Sequence, residues 1–214
     1  MVGGMPYGIV LFGDVVASRT MRRAGDWLRT LRDELDEAYG PERLAAFEFT
    51  QGDELQGLLA PSADPQEAVV RASLRSDRLP MRWVVVAGAV EEGTGPATQR
   101  SGPAFLAARE LVTVARRRRD SLAMLTGEPE TDELLDGVAP VLGRLLDELT
   151  DRQREVARLL LVERLTQSAA AARLGVRPPT ISVAAERARV REIARLRGAT
   201  LKLFRIGQAR AMAR

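Results

Sequence analysis

Two periods of hydrophobic spacing alternate over residues 7–127, and each change of period marks a boundary between elements. Tyr7-Gly-Ile-Val-Leu-Phe-Gly13 is a short apolar run ending at Gly-Asp, the pattern of a buried strand. Trp27, Leu28, Leu31, Leu35 and Ala38 then recur at helical spacing among charges and predict an amphipathic helix ending near Gly40-Pro41. Phe47 to Thr50 and Leu55 to Ala60 read as two strands of a hairpin with its tip at Gly52-Asp53. Pro61 to Pro65 is a loop, and Asp64 caps a helix through Ala68, Val69, Ala72 and Leu74. Met81 to Ala87 is β-rich, Gly93 to Gly102 a Gly/Thr-rich loop, Gly102-Pro103 the start of a helix toward Arg119, and Leu122 to Leu125 a short strand.

The order strand, helix, hairpin, helix, strand, helix, strand predicts an α+β layer fold. Its mainly antiparallel sheet has the split β-α-β-β-α-β arrangement of ferredoxin-like domains. Beyond Thr131 the pattern is purely helical. Leu134, Leu135, Val138, Leu142, Leu145, Leu146 and Leu149 outline a linking helix with a break near Pro140. Thr150 or Asp151 can cap the next helix, whose apolar stripe is Val156, Leu159, Leu160 and Val162. A short helix follows from Thr166 to the Gly175 stop, then a turn over Val176 to Thr180, then a helix from Ile181 to Arg191. Ala170 and Ala171 let two helices cross closely, and Leu174, Val176, Ile181 and Ala185 can seal the corner. This is a helix-turn-helix pattern; an ordinary helical hairpin with basic residues is the plainer alternative. The expected organisation is a sheet domain over residues 1–130, a linking helix over 131–148 and a helix-turn-helix domain over 149–214, the outer two with separate cores. Thr200 to Phe204 is expected to dock as an extra helix turn or a wing strand.

Charge sharpens the division. The net +3 of the 214 residues splits into −6 for residues 1–140 and +9 for residues 141–214. A basic end joined to an acidic first part points to a polyanionic partner for the second module, and the helix-turn-helix pattern makes double-stranded DNA the candidate. Arg177, Thr180, Ser182 and Arg187 are candidates for DNA contact, while Arg189, Arg191, Arg195 and Arg197 are placed to follow phosphates. Cysteine and histidine are absent, which removes disulfides, thiolate nucleophiles, imidazole bases and the commonest transition-metal ligand. Catalysis would therefore need carboxylates, hydroxyls, arginines and a hard metal. With no run of about 18 apolar residues and no basic n-region before the first apolar stretch, a cytoplasmic protein without membrane spans is expected.

Two acidic positions stand out. The first strand delivers Asp14, and the hairpin delivers Asp53 and Glu54, each aspartate preceded by glycine. Carboxylates meeting at one end of a sheet suit Mg²⁺ or Mn²⁺, with phosphates completing the coordination sphere. Ser18 and Arg19 can meet phosphate oxygens as hydroxyl and fork donor. On spacing alone, however, Gly-Asp as a plain turn dipeptide is the better account.

Three stretches carry a resemblance. Residues 8–19 and 46–60 resemble the SatD family, with its Gly-Asp-Ile-Val-x-Ser-Arg and Gly-Asp-Glu-Phe-Gln-Gly motifs, and Ser101 to Glu110 resembles its Asp-Gly-Pro-Ala…Ala-Arg motif. More distantly the same stretches look like class III nucleotidyl cyclases and their palm-domain relatives. The resemblance implies a palm domain in which Asp14 and Asp53 bind metal, the Val15 carbonyl assists and Glu54 is a third ligand or a neighbour of one. Arg109 falls close to the cyclase arginine that stabilises the transferring phosphate, one residue nearer Gly102. Two departures weigh against turnover: Phe105 and Leu106 stand where cyclases have an asparagine, and Phe49 where they have a base-selecting lysine. Residues 149–191 resemble sigma-factor fourth-region and LuxR-like helix-turn-helix domains. Together the resemblances imply a homodimeric DNA-binding transcriptional regulator with a purine-nucleotide and Mg-sensing, catalytically weak or inactive domain. The alternatives are a nucleotidyl cyclase or nucleotidyltransferase recruited to DNA or a partner by its helical domain, and a degenerate palm kept only for dimerisation.

Overall fold

The computed structural model describes residues 5–16, 24–50 and 54–213. Five strands, β1 (Tyr7–Val15), β2 (Arg43–Phe49), β3 (Glu54–Leu59), β4 (Met81–Ala89) and β5 (Leu122–Leu125), form one sheet in the order β2-β3-β1-β4-β5. The first four strands follow the split order expected from sequence. One pair is not antiparallel: β5 runs parallel to β4, because α3 (Pro103–Arg118) carries the chain between them as a crossover, the connection that parallel neighbours require.

Both faces of the sheet are covered, so β1 reads as a continuous apolar run rather than an alternating one. Val10 and Phe12 face α3, meeting Phe105, Ala108 and Val112. Ile9 and Leu11 face the other layer, built from α1 (Ala24–Tyr39), α2 (Gln66–Ser73), α4 (Pro129–Asp147) and later helices. Helix α1 ends as expected, but Tyr39 rather than Ala38 takes the last buried position. Its hydroxyl donates to the Asp64 carbonyl at 2.9 Å and accepts from Ala68 N–H at 3.0 Å. Asp64 does serve the start of α2, accepting from Gln66 N–H at 2.9 Å. Gly57 in β3 is fixed by packing: a Cβ there would overlap the Phe47 ring. Gly57→Ala is expected to cost about 1–3 kcal/mol by overpacking, read as a lowered thermal midpoint.

Three expectations for the helical region need correction. Helix α4 passes through Pro140 without a break; fully buried Leu135, Ala139, Leu142 and Leu146 anchor it on both sides of the missing N–H. Thr200 to Phe204 is neither an added turn nor a wing strand but the middle of the 23-residue α8 (Val190–Met212). The cores are also not separate. Ala157, Val162, Ala188, Ile193 and Phe204 belong to the same apolar cluster as Ile9 and Leu11. A smaller cluster of Val156, Leu159, Ala170, Ala171, Ile181 and Ala185 is local to the helical region.

Polar contacts reinforce the junction. Arg197 on α8 meets Asp64 and Glu67 at 2.6 Å each. Burial disfavours its charge, but these two carboxylates outweigh burial and hold its pKa above the ordinary arginine value. Fully buried Gln66, its amide oriented to suit its neighbours, donates to the Arg197 carbonyl at 3.0 Å and accepts from Leu201 N–H at 3.1 Å. Among the described residues no helix is long and apolar enough to cross a membrane.

Candidate functional site

The end of the sheet where β1 finishes gathers the chemistry. Asp14 lies directly opposite Glu54 on β3 and opposite Arg82 on β4, so the three form a row across neighbouring strands. Since Phe12, two residues earlier, faces α3, Asp14 faces α3 as well. That helix supplies a second cation. Arg116 meets both Asp14 oxygens, Nη2 to Oδ1 at 2.8 Å and Nε to Oδ2 at 3.1 Å. Arg82 donates its Nη1 to Oδ2 at 3.1 Å and its Nε to the Asp120 carbonyl at 3.1 Å. Asp14 itself is only 6% exposed. Glu54 accepts from the Gln56 amide at 2.8 Å.

The structure thus brings Asp14 and Glu54 together. Ser18, Arg19 and Asp53 lie outside the described residues. Val15 is buried at the end of β1, and the next residue, Val16, donates its N–H to the Pro80 carbonyl at 2.8 Å. Arg109 is exposed on α3, two turns before Arg116. The α3 arginine held on Asp14 is therefore Arg116 rather than Arg109, and neither Arg82 nor Arg116, its partners among the described residues, was singled out from the sequence. Arg82 left a signal: it is the lone charge in the run Met81 to Ala87, and a charge within a strand of a covered sheet requires a counter-ion. Arg116 is hidden in the run Arg116 to Arg119. Of the three departures from the cyclase pattern, Phe105 and Phe49 have packing roles and Leu106 does not. Phe105 is buried with its ring centroid 6.2 Å from that of Phe12, Leu106 is 61% exposed, and Phe49 packs against the main core.

Among the described residues no group of three or more acidic or other metal-type side chains converges. Asp14 and Glu54 still offer two hard oxygen donors side by side, the share Mg²⁺ takes from a protein when phosphates and water supply the rest. Arg82 and Arg116 already neutralise the Asp14 carboxylate.

The second candidate site is helical. Thr150 caps α5 (Asp151–Leu161) in a reciprocal box with Gln153, and Thr166 caps α6 (Gln167–Arg173) through Ala169 N–H. Gly175 turns the chain at φ +64°, a conformation that favours glycine. Helix α7 (Pro178–Arg187) begins two residues before Thr180, where the expected turn was to end. Pro178 and Pro179 occupy first-turn positions whose N–H groups have no intrahelical acceptor. Ile181 and Ala185 face inward onto α5 and α6. Arg177, Thr180, Ser182, Arg187, Arg189 and Arg191 are all exposed. Thr180, Val183 and Arg187 form one stripe along α7, facing Arg152 and Gln153 of α5 across an open cleft of about 600 Å³. Val183, 48% exposed on this stripe, was not singled out from sequence. The Gln153 amide donates to the Arg187 carbonyl at 3.1 Å and fixes the end of α7. Arg197, expected to follow phosphates, is instead committed to Asp64 and Glu67 in the junction described above.

No protein-family model matches the chain, and no curated protein is significantly similar to it. Two solved structures of a bacterial light-regulated adenylyl cyclase are similar at 18% identity, with TM-scores of 0.39 and 0.40. In both cases 58% of this chain aligns with 44% of the other, so the chain spans less than half the length of these proteins. A regulator of polyketide synthase expression from Bifidobacterium adolescentis is 17% identical over 96% of this chain and 82% of that one, with a TM-score of 0.28. Similarity at this level assigns neither family nor activity.

Proposed function

We propose that the chain is a DNA-binding transcriptional regulator whose sheet domain senses a purine nucleotide with Mg²⁺ and turns it over slowly or not at all. The observation that carries this reading is α7: it is exposed along Thr180, Val183 and Arg187, with Ser182 also exposed and Arg177 just before its first turn, in the basic C-terminal part of the chain. Such a helix suits the major groove, where an arginine fork recognises guanine and hydroxyl side chains adapt to several bases. Arg189 and Arg191 then lie beyond the helix end, placed for backbone phosphates. A homodimer would present two such helices to two half-sites.

In the sheet domain, Asp14 and Asp53, with the Val15 carbonyl and Glu54, are the residues that would hold Mg²⁺; the ion would supply charge neutralisation for nucleotide phosphates. Ser18, Arg19 and Arg109 would contact those phosphates. Sensing rather than turnover is supported by apolar Phe49, Phe105 and Leu106 and by the two arginines that already neutralise Asp14.

Fluorescence anisotropy with duplex DNA tests the reading. Arg187→Ala is expected to weaken binding about tenfold, and the wild-type affinity should fall steeply with salt. Failure to bind any duplex at low salt would remove the DNA-binding reading. Robust cyclic-nucleotide production abolished by Asp53→Ala would replace the sensor with a cyclase.

A further inference from the structure

Among the described residues, the helices under the sheet leave an apolar face uncovered. Helices α4 and α8 pack along each other. They run antiparallel: Glu130, near the start of α4, meets Arg210, near the end of α8, at 3.2 Å, and a Cβ on Gly207 would clash with Thr131. Their outward sides carry three large apolar residues in water, Leu134 (55% exposed) and Val141 (50%) on α4 and Ile206 (39%) on α8. Leu134 and Val141 stand about two turns apart, so they project from the same side of α4. The outward side of α8 is concave. A hollow of about 370 Å³ lies between the small residues Gly198 and Ala209 and is lined by Leu201, Lys202, Arg205 and Ile206. The charges differ as well: α4 holds five acidic residues and one basic, α8 six basic and one acidic.

From this complementarity we infer that a second copy of the chain docks on this face, the partner's α4 lying over α8 and the partner's α8 over α4. The inference rests on the homodimer proposed above and gives it a surface. A two-fold axis along the groove between α4 and α8 produces the arrangement and keeps every level of the groove at the same level in the partner. Counted from the Glu130–Arg210 contact at equal rise, Leu134 stands level with Ile206 and Val141 level with Ala199. The partner's Leu134 and the partner's Val141 therefore enter the two ends of the hollow on α8. The partner's Glu133, a residue with no ion pair inside its own chain among the described residues, comes within reach of Lys202 and Arg205. A two-fold axis across the helices would instead lay α4 on α4 and α8 on α8, setting like charges against each other. Helix α4 is about 28 Å long, and two helices about 10 Å wide give a face of about 560 Å² per copy. The pair would bury roughly 1,100 Å², enough for a small specific interface.

Sedimentation velocity on the full chain over a concentration series is the test. Wild type is expected to be a dimer. Leu134→Lys and Val141→Lys each bring a cation to a hollow already lined by Lys202 and Arg205, and each is expected to raise the dimer dissociation constant at least about tenfold. Glu133→Lys and Lys202→Glu, made singly, should weaken the dimer about threefold. Made together they exchange the charges in both copies and should restore the wild-type constant, a rescue that a merely structural role would not give. Circular dichroism melts establish that each variant is folded at the temperature of the run. A monomeric wild type means that the face has some other occupant, and a dimer left intact by Leu134→Lys and Val141→Lys means that the dimer uses some other surface; either result overturns the inference. Charge reversals that add rather than compensate would overturn the placing of α4 on α8. Fluorescence anisotropy with duplex DNA separates this outcome from the DNA-binding reading. A dimer that binds no duplex keeps the face and removes that reading, whereas a monomer that binds duplex removes the face and keeps the reading.

Discussion

Asp14→Asn is expected to lower the stability of the folded chain by about 3 kcal/mol. The carboxylate is buried and is the shared counter-ion of Arg82 and Arg116. Asparagine preserves the shape but leaves two guanidiniums facing each other across a neutral amide. Breaking a buried pair typically costs about 3–5 kcal/mol; the low end applies because half of the Arg116 side chain reaches water. Urea unfolding followed by circular dichroism should show a lower midpoint at unchanged slope. A shift below about 1 kcal/mol, the scale of a surface pair, would show that the clamp contributes little to the fold.

The second large effect concerns the junction. Arg154, in the first turn of α5, is only 5% exposed and donates to three backbone carbonyls: Leu149 at 2.7 Å, Ser73 at 3.2 Å and Leu146 at 3.4 Å. Burial, reinforced by the charge of Arg78, pushes its pKa below the usual arginine value. These bonds tie the start of the helix-turn-helix to the end of α4 and to the end of α2. Arg154→Ala is expected to cost about 3 kcal/mol, since orphaned buried acceptors cost about 1–3 kcal/mol each and the truncation leaves a cavity. Because the apolar core is continuous across the junction, tryptophan fluorescence from the sheet domain and helical circular dichroism should report one coincident transition in the wild type. Two well-separated transitions would contradict the shared core.

How much of the sheet end was legible depends on how local its causes are. Asp14 and Glu54 could be marked from the residues around them, because a strand end and a hairpin are local features. Their pairing needed the register of β1 with β3. Arg82 was legible in kind, as a charge in an apolar strand, but not in partner. Arg116, 102 residues from Asp14, left no signal. In the helical region Thr150, one of two cap candidates, and the Gly175 stop are used as the sequence suggested, and Thr166, read only as the start of the short helix, proves to be its cap. Arg197 shows the limit: one more arginine in a basic stretch, it became a junction residue because α8 lies over Asp64 and Glu67.

The sequence alone therefore determined the order of elements through β5, the split sheet and a purely helical C-terminal region, since hydrophobic period, caps and turn residues act within a few positions of one another. It also determined that no histidine or cysteine chemistry is possible. Only the tertiary structure decided that β5 joins parallel, that α4 crosses Pro140 unbroken, that the helical region shares the sheet's core and that two arginines clamp Asp14. These outcomes depend on which surfaces meet after the chain has folded, where burial and counter-charge outweigh the local preferences that a sequence displays.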